Sequence, residues 1–251
     1  MRGKRILISV VIVNYRADKL VQKIQQSLKS ADHIECIVID NSDGQAGFGE
    51  GCNRGAEQAH GEGVLFVNPD VYVTTDAIDA LYEFLGAHPQ IGLIGPQILD
   101  ETGAVQITSS TVPTALEAAI VYSWLGNLSA FGSYREHYRL WGFDHRSSRP
   151  VPSVSGSCFM MRREEFLAIG GCDENMFLYF EEFDLAQRVR SQLDKEVYFL
   201  ATASVVHFGQ HSTKQLPSVA HHFRASRRYW LQKHYGFSGA IANFWIRLWE
   251  K

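Results

Sequence analysis

The stretch VLFVNPDVYV, residues 64–73, decides the fold that we predict for this chain. Its first four residues are apolar, which is typical of a strand buried on both faces, although a buried helix segment gives the same pattern. Pro69 cannot donate a backbone hydrogen bond and indicates that strand pairing ends there. Asp70 would then follow the carboxyl end of the strand, where open α/β sheets bind ligands. An aspartate in that place can hold a metal ion, and the alternative is an Asx turn with a solvated carboxylate.

The first 110 residues alternate between apolar runs and helical patterns. The predicted strands are residues 6–13, 36–39, 64–67 and 91–94, and the predicted helices are residues 18–30, 47–59 and 76–87, with Thr75 as the cap of the third. A hairpin is expected at residues 97–108. This order predicts an α/β fold with a parallel sheet and helices on both faces.

The second half of the chain is less regular. We expect strands at residues 157–161 and 197–207, and helices at residues 113–124, 163–169 and 220–235 and after Asp184. Residues 126–150 are rich in aromatic residues and arginine, and we interpret them as a long irregular segment. Loops of this length in compact domains are usually functional or disordered. The aromatic residues could form a platform that binds an acceptor, or they could simply pack in the core.

Composition excludes several classes of protein. The 251 residues carry a net charge of −3 without a basic footprint, which argues against a nucleic-acid binder. The four cysteines form no C-x-x-C pair, which is typical of reduced thiols in a cytosolic protein. Residues 1–13 resemble a signal peptide only superficially, because their apolar run lacks a cleavage site, and we interpret it as the first strand. No run reaches the length of a membrane span.

Two further features lie near the predicted sheet edge. The glycine cluster at residues 47–55 is neither a G-x-G-x-x-G fingerprint nor a P-loop, but it could let the backbone approach a nucleotide. A tight turn into a helix explains it equally well. Asp40 ends the second strand and could accept a hydrogen bond from a pyrimidine N–H, or could cap its own turn.

Three carboxylates and a histidine are the remaining candidates for chemistry. Glu181, Glu182 and Asp184 precede a helix, where they could simply cap it. Crowding of like charges raises at least one pKa, which also suits a general base. His207 ends an apolar strand, where it is either an ordinary core residue or a metal ligand together with Asp70. An imidazole and a carboxylate would favour Mn²⁺ without excluding Mg²⁺.

Taken together, these motifs resemble glycosyltransferase family 2, and more narrowly its bacterial rhamnosyltransferase-like branch. The resemblance spans nearly the whole chain. It rests on SVVIVNY (9–15), VIDNS (38–42), GFGEGCNRG (47–55), FVNPDV (66–71), SGSCFMMRREEFLAIGGCDENMFLYFEEFDLAQRVR (155–190) and VVHFGQHS (205–212). It implies the GT-A fold as a single domain over residues 1–251. A nucleotide-binding half would span about residues 1–110, and an acceptor-binding, catalytic half about residues 111–251.

The resemblance also implies roles for individual residues. Glu182 matches the catalytic base, and Glu181 and Asp184 are its catalytic neighbours. Asp70 matches the last aspartate of a D-x-D metal motif, and His207 matches a histidine at the metal or diphosphate. The implied donor-binding residues are Val13, Asn14, Tyr15, Asp40, Gly47, Gly49, Asn53, Asn68, Asp70 and Gly156. The implied cofactor is Mn²⁺ or Mg²⁺.

The implied reaction is an inverting transfer of a sugar, with rhamnose as a guess, from a nucleotide-diphosphate donor to a saccharide or lipid-linked acceptor. The expected location is cytoplasmic, and the aromatic, basic C-terminal segment either contacts the inner face of a membrane or packs as an ordinary helix. Three departures stand out: Asn68 replaces a carboxylate, Glu182 replaces an aspartate, and residues 43–46 form a short insert. They keep open a non-catalytic nucleotide-sugar-binding module, and a sugar-phosphate nucleotidyltransferase is a second alternative.

Overall fold

The computed structural model of the protein describes residues 6–209 and 218–250. Within this part of the chain, eight strands form one mixed sheet. The strands are β1 (Ile8–Asn14), β2 (Ile34–Asp40), β3 (Gly63–Val67), β4 (Val71–Tyr72), β5 (Ile91–Leu99), β6 (Arg149–Pro150), β7 (Cys158–Arg162) and β8 (Glu196–His207). The helices are α1 (Asp18–Leu28), α2 (Phe48–Gln58), α3 (Thr75–Ala87), α4 (Ala115–Val121), α5 (Gly132–Tyr138), α6 (Arg163–Ala168), α7 (Glu181–Leu193) and α8 (Val219–Arg247). Residues 210–212 of the motif VVHFGQHS lie outside the described residues.

The strand order is β2-β1-β3-β7-β5-β8-β4, and β6 pairs with β8. Strands β1, β2, β3, β5 and β8 run in one direction, whereas β7, β4 and β6 are antiparallel to their neighbours. The predicted α/β fold with a mostly parallel central sheet is confirmed, and β1, β2, β3 and β5 of the first half share one direction. Strand β7, from the second half of the chain, inserts between β3 and β5, and the order of elements in the first 110 residues cannot reveal this.

Several predicted boundaries shift. Strand β5 continues to Leu99, and the predicted hairpin is reduced to a single bridge between Leu99 and Val105. The segment predicted to be irregular contains α5 and two 3₁₀ turns, Trp124–Asn127 and Ser129–Phe131. The cap of α3 is Thr74 rather than Thr75, since its hydroxyl accepts a hydrogen bond from Ala77 N at 3.3 Å.

Helices cover both faces of the sheet. The β-branched side chains of β1 are buried on both sides, as expected of a central strand. One face packs against α1 and α3, through Val21, Ile24, Leu28, Ile78, Leu81 and Leu85. The other face packs against α2, α6 and α7, through Cys52, Ala56, Phe166, Leu185 and Val189. These two layers hold the strand ends, and hence the residues that follow them, in fixed positions.

Helix α2 lies unusually close to β1 because glycines face the strand. A Cβ on Gly55 would lie 2.2 Å from Val11 Cγ1, and one on Gly51 would lie 2.6 Å from Val13 Cγ1. The second half of the glycine cluster, Gly51 and Gly55, therefore serves the packing of α2 against β1. Its glycines let α2 approach the strand at a distance that a larger side chain would prevent.

We expect Gly55→Ala to destabilise the protein by about 1–3 kcal/mol, because the added methyl group overlaps both Cγ atoms and the Cβ of Val11. No rotation of the valine removes all three contacts. Urea unfolding measures the change. Gly86→Ala is the matched control, since it also adds a methyl group to a helix but meets nothing within 4 Å. That change should stabilise the protein by roughly 0.5–1 kcal/mol. Equal effects of the two substitutions would contradict the packing argument.

Candidate active site

A cavity of about 280 Å³ opens at the carboxyl ends of the central strands. Its walls come from segments that are far apart in the sequence. They are Phe48, Asn68, Asp70, Ser155, Gly156, Ser157, Leu178, Tyr179, Glu181, Glu182 and His207. The structure thus brings Asn68, Asp70, Gly156, Glu181, Glu182 and His207, all predicted site residues, around one space.

Asp70 and His207 form one wall of the cavity. After β3 the chain turns through Pro69, with Val71 N donating to Asn68 O at 3.0 Å, and then enters β4. Strand β4 pairs with β8 so that Val71 stands opposite His207. This register brings His207 Nε2 to 3.5 Å from Asp70 Oδ1. The carboxylate of Asp70 is buried, so it can exert its charge in a medium of low dielectric constant.

Glu181 and Glu182, in the first turn of α7, also line the cavity. Burial raises the pKa of Glu182 to about 7. Burial, followed by the charge of Glu182, raises the pKa of Glu181 to about 8. Oε2 of Glu181 is buried without a hydrogen-bond partner among the described residues. Two carboxyl groups with such pKa values hold a proton near neutrality, which is the property that general acid–base chemistry requires.

The turn that presents these glutamates is strained. Tyr179 and Phe180 have φ values of +69° and +72°, in the left-handed region that residues with a side chain rarely adopt. Conformations of this kind persist only when the surrounding structure enforces them. Here the side chain of Phe180 is buried against the rings of Trp230, Phe223 and Tyr122, at centroid distances of 5.5, 5.2 and 5.8 Å. Helix α8 and the end of α4 therefore fix the direction of the turn that presents the two glutamates.

Asp184, a predicted catalytic residue, does not line the cavity. Its side chain is fully buried, and it accepts hydrogen bonds from Arg188 Nε at 2.7 Å and His234 Nε2 at 2.7 Å. Lys233 Nζ lies 2.6 Å from the same carboxylate. Burial alone would raise the pKa of Asp184, but these partners hold it well below the usual carboxyl range. Asp184 is therefore a structural anchor between α7 and α8.

The predicted nucleoside-binding residues lie at the same sheet edge but outside the cavity wall. Asp40 is exposed and stands opposite Asn14 in the β1–β2 register. Hydrogen bonds from the hydroxyl and the backbone N–H of Ser42 lower its pKa. Tyr15 is half-buried, with the guanidinium of Arg16 5.2 Å from its ring centroid. Both open interpretations of Asp40 thus survive, since it caps its own turn and still faces solvent.

Val13 and Asn14 are less available than the sequence suggests. The side chain of Val13 packs under Gly51 of α2. The amide of Asn14 is engaged locally, because it donates to Asp18 Oδ1 at 2.7 Å and accepts from Ala17 N at 3.0 Å. Their side chains shape the sheet edge and the start of α1, so any contact with a ligand would come from the backbone.

Three donor-binding predictions from the glycine motif fall on packing positions. A Cβ on Gly47 would lie 2.7 Å from Phe177 O, and one on Gly49 would lie 3.0 Å from Cys172 Cβ. Asn53 Nδ2 donates to Cys172 O at 2.9 Å, and its Oδ1 accepts from Cys172 N at 2.8 Å. None of the three lines the cavity. They join α2 to the loop that leads into the catalytic turn.

The donor set at Asp70 and His207 fits a divalent cation. No group of three or more His, Cys, Asp or Glu suited to a metal occurs in residues 6–209 and 218–250. One carboxylate and one imidazole can nevertheless contribute to a site that phosphate oxygens complete, and this arrangement is common for Mg²⁺ and Mn²⁺. The carboxamide of Asn68, on the same wall, supplies a neutral oxygen where a carboxylate was expected from the family pattern.

Sequence reasoning missed several cavity residues. Ser155 and Ser157 hydrogen-bond to each other through their hydroxyl groups at 2.8 Å, and Tyr179 and Phe48 supply aromatic walls. The small-residue run SGS before a strand and the aromatic run FLYF before the glutamates were the available signals. Neither has a specific meaning until β7 and α7 are placed beside β3.

Comparisons with known proteins identify the family of the chain. The family described as Glycosyl transferase family 2 matches residues 8–170. N-acetylglucosaminyl-diphospho-decaprenol L-rhamnosyltransferase of Mycobacterium tuberculosis is 30% identical over 204 residues, which cover 80% of this chain and 66%, just under two thirds, of that protein. Rhamnosyltransferase WbbL of Escherichia coli is 22% identical over 256 residues, which cover 90% of this chain and 94% of that protein.

Two solved structures show the same fold at low identity. S. aureus TarS 1–349 in complex with UDP-GlcNAc has a TM-score of 0.53 at 15% identity, covering 92% of this chain and 73% of that one. The mannosyltransferase PcManGT from Pyrobaculum calidifontis, in complex with GDP-Man and Mn²⁺, has a TM-score of 0.53 at 13% identity, covering 94% and 64%. At these identities the likeness concerns the fold alone.

Proposed function

Because the chain belongs to glycosyl transferase family 2, we propose that it is an inverting glycosyltransferase that moves a sugar from a nucleotide-diphosphate donor to an acceptor hydroxyl. The structural likenesses confirm the GT-A fold expected from the motifs. We also propose that residues 1–251 act as one GT-A domain, with the nucleotide-binding half over about residues 1–110 and the acceptor-binding half over about residues 111–251.

One observation carries the proposal. A pair of carboxyl groups with raised pKa values lines the same cavity as Asp70 and His207. The carboxyl pair offers a proton acceptor, and Asp70 and His207 offer ligands for a charged diphosphate group. Transfer from a nucleotide sugar needs both functions within one space, whereas a binding module needs only the second.

Glu182 is the proposed base. In its ionised form it accepts the proton of the acceptor hydroxyl, and the oxygen of that hydroxyl attacks the anomeric carbon of the donor sugar. The bond between that carbon and the diphosphate oxygen breaks, and the electron pair leaves with the diphosphate. Gly156 stands beside the base, since a Cβ there would lie 3.8 Å from Glu182 Oε2. The absence of a side chain at this position leaves room for the sugar.

Asp70 and His207 would hold a divalent cation, Mn²⁺ or Mg²⁺. When bound, such a cation offsets the negative charge that develops on the leaving diphosphate. Tyr15 and Asp40, at the neighbouring edge of the sheet, are the proposed contacts of the nucleoside.

The names of the relatives suggest the substrates. The mycobacterial relative is an L-rhamnosyltransferase whose named acceptor is a saccharide diphosphate on a decaprenol, and the E. coli relative is a rhamnosyltransferase. We propose rhamnose as the transferred sugar and a saccharide on a lipid diphosphate as the acceptor. The reaction would then belong to the synthesis of a cell-surface polysaccharide, at the inner face of the membrane.

Neither alternative class is favoured. A sugar-phosphate nucleotidyltransferase needs a basic, glycine-rich loop after β1, and this position holds Asn14-Tyr15-Arg16-Ala17-Asp18. A non-catalytic module would gain nothing from Glu181 and Glu182, because burying a pair of carboxyl groups is costly.

Release of a nucleoside diphosphate tests the proposal. The purified chain is incubated with a panel of nucleotide sugars and a detergent-dispersed polyprenyl diphosphate saccharide, with and without Mn²⁺. We expect release to depend on both a specific donor and the acceptor, and to fall when the metal is chelated. Formation of a nucleoside triphosphate and a sugar phosphate, once pyrophosphate is added to the nucleotide sugars, would instead indicate a nucleotidyltransferase. Tight donor binding without any release would indicate a binding module.

We expect kcat to rise with pH through about 7, since protonated Glu182 cannot accept the proton of the acceptor. Below this pH, kcat should fall about tenfold for each unit. The groups facing the pair include Tyr122, Tyr138 and Tyr179, whose raised pKa values keep them neutral in this range. A pH–rate profile at saturating substrates measures the effect. An inflection near the ordinary glutamate value of about 4.3 would contradict the role of this pair.

A further inference from the structure

The C-terminal arm of α8 presents an apolar stripe to solvent. The helix is kinked at Gly236, where φ is +54°. Beyond the kink, four large apolar residues recur at helical spacing on the outer face. They are Phe237, Ile241, Phe244 and Leu248, which are 83, 54, 66 and 55% exposed. The inner face of the same arm, at Ala242 and Ile246, is also apolar and is buried. A surface helix in water normally carries polar residues on its outer face, so this stripe requires an explanation.

Three tryptophans extend the stripe into a wider surface. Trp245 and Trp249 lie at the end of the arm, with ring centroids 6.3 Å apart. Trp124, in the 3₁₀ turn after α4, contacts Trp249 at 5.4 Å. All three indoles are between 38 and 50% exposed. This tryptophan cluster joins two separate elements at the surface, and tryptophans in such half-exposed positions are typical of the interface between water and lipid.

Arginines stand beside the stripe. A groove of about 570 Å³ between the two arms of α8 is lined by Arg228 and Arg247 together with Phe244 and Leu248. Arg224 and Arg227 both form ion pairs with Glu250. For Arg228, in contrast, no ion pair occurs in the part of the chain that the structure describes. Arg247 forms no ion pair there either, although its charge contributes to lowering the pKa of Glu250. The groove therefore offers two cations next to exposed apolar side chains.

We propose that the stripe, the tryptophan cluster and the arginine groove form one surface that docks on an anionic membrane. Apolar side chains would enter the boundary between head groups and acyl chains, and the two arginines would meet lipid phosphates. Within residues 6–209 and 218–250, no helix combines the length and hydropathy needed to cross a bilayer. The contact would thus lie along the membrane surface. The inference deepens the proposed function and rests on it for the identity of the partner, a membrane that carries a lipid-linked acceptor.

The docking surface is connected to the active site by packing. Tyr122, two residues before Trp124, contacts Phe180 in the turn that presents the glutamates. Trp230, on the first arm of α8, contacts the same phenylalanine. The two elements that carry the surface are therefore the two that brace the catalytic turn. Docking would hold the cavity at a fixed distance from the membrane surface. The saccharide of a lipid-linked acceptor lies at that surface.

Vesicle flotation tests the proposal with the full chain. We expect the protein to float with vesicles of phosphatidylcholine and phosphatidylglycerol, with a blue shift of its tryptophan fluorescence, and to float less with pure phosphatidylcholine. The double variant F244S/L248S should lose roughly tenfold or more of its partitioning, because two apolar side chains leave the contact. The double variant R228Q/R247Q should lose the preference for anionic vesicles and keep the weaker binding to neutral ones.

Ile107→Ser is the matched control, because Ile107 is 67% exposed but lies on a different segment. This variant should float like the original protein. Failure of the original protein to float would overturn the proposal, and so would an equal loss in I107S and F244S/L248S. A dimer in solution that F244S/L248S dissociates, without flotation, would assign the surface to a second copy of the chain. Circular dichroism confirms folding of each variant. Nucleoside diphosphate release in detergent is measured separately, so failure of docking and failure of the transferase proposal are distinguishable.

Discussion

Glu182→Gln should lower kcat by roughly 10³-fold while leaving the affinity for the donor unchanged. The amide preserves the shape of the side chain in the cavity wall but cannot accept a proton from the acceptor hydroxyl. The donor would be held by Asp70 and His207, which line the same cavity, and by residues at the sheet edge, so its binding does not depend on the base. Single-turnover kinetics measures the chemical step, and a thermal-shift titration with nucleotide sugar measures binding.

Glu181→Gln is the matched control, since it makes the same chemical change at the adjacent position. Glu181 is buried, and the charge of Glu182 contributes to its raised pKa. Removing its carboxyl group should leave kcat within about tenfold and leave the acidic limb of the pH profile in place, because Glu181 has the higher pKa and is still neutral when Glu182 loses its proton. If Glu182→Gln stays active and Glu181→Gln does not, the assignment of the base is reversed.

Sequence reasoning predicted the fold through local patterns. The run at residues 64–67 and the break at Pro69 are intrinsic to the chain, and they place Asp70 at the sheet edge in the structure as expected. The same kind of reasoning placed Asp40 after β2 and His207 at the end of β8. Each of these predictions needs only the order of residues and the direction of one strand. None of them depends on contacts with distant parts of the chain.

The remaining features depend on contacts between distant segments. The antiparallel insertion of β7 pairs residues almost a hundred positions apart, and no local pattern encodes it. Asn53 appeared to be a ligand because it lies in a glycine motif, yet its amide is satisfied by Cys172. Asp184 shares a short acidic run with Glu181 and Glu182, but two of its partners come from α8. Residues of the same type thus differ in whether they line the cavity or support the fold, and only the packing of the helices decides which.

Asp184→Asn should destabilise the fold by about 3–5 kcal/mol, since it leaves the buried guanidinium of Arg188 without its counter-charge. Arg188 is 8% exposed, and both it and Lys233 pair with this carboxylate. The amide keeps the volume but removes the charge, and its NH₂ group would face other donors. Urea unfolding at neutral pH measures the loss. Asp79→Asn is the control, because Asp79 pairs with His33 while both are partly exposed. It should cost less than about 1 kcal/mol.

The pH dependence of that loss separates a charge effect from a packing effect. The pKa of Asp184 is depressed in the folded protein, so its contribution is present above the unfolded carboxyl pKa of about 4 and disappears as the pH falls towards the folded value. The difference in unfolding free energy between the original protein and Asp184→Asn should therefore be constant above about pH 5 and shrink in more acidic solution. If the difference in unfolding free energy stays the same at acidic pH, then packing of the Asp184 side chain, rather than its charge, stabilises the contact between α7 and α8.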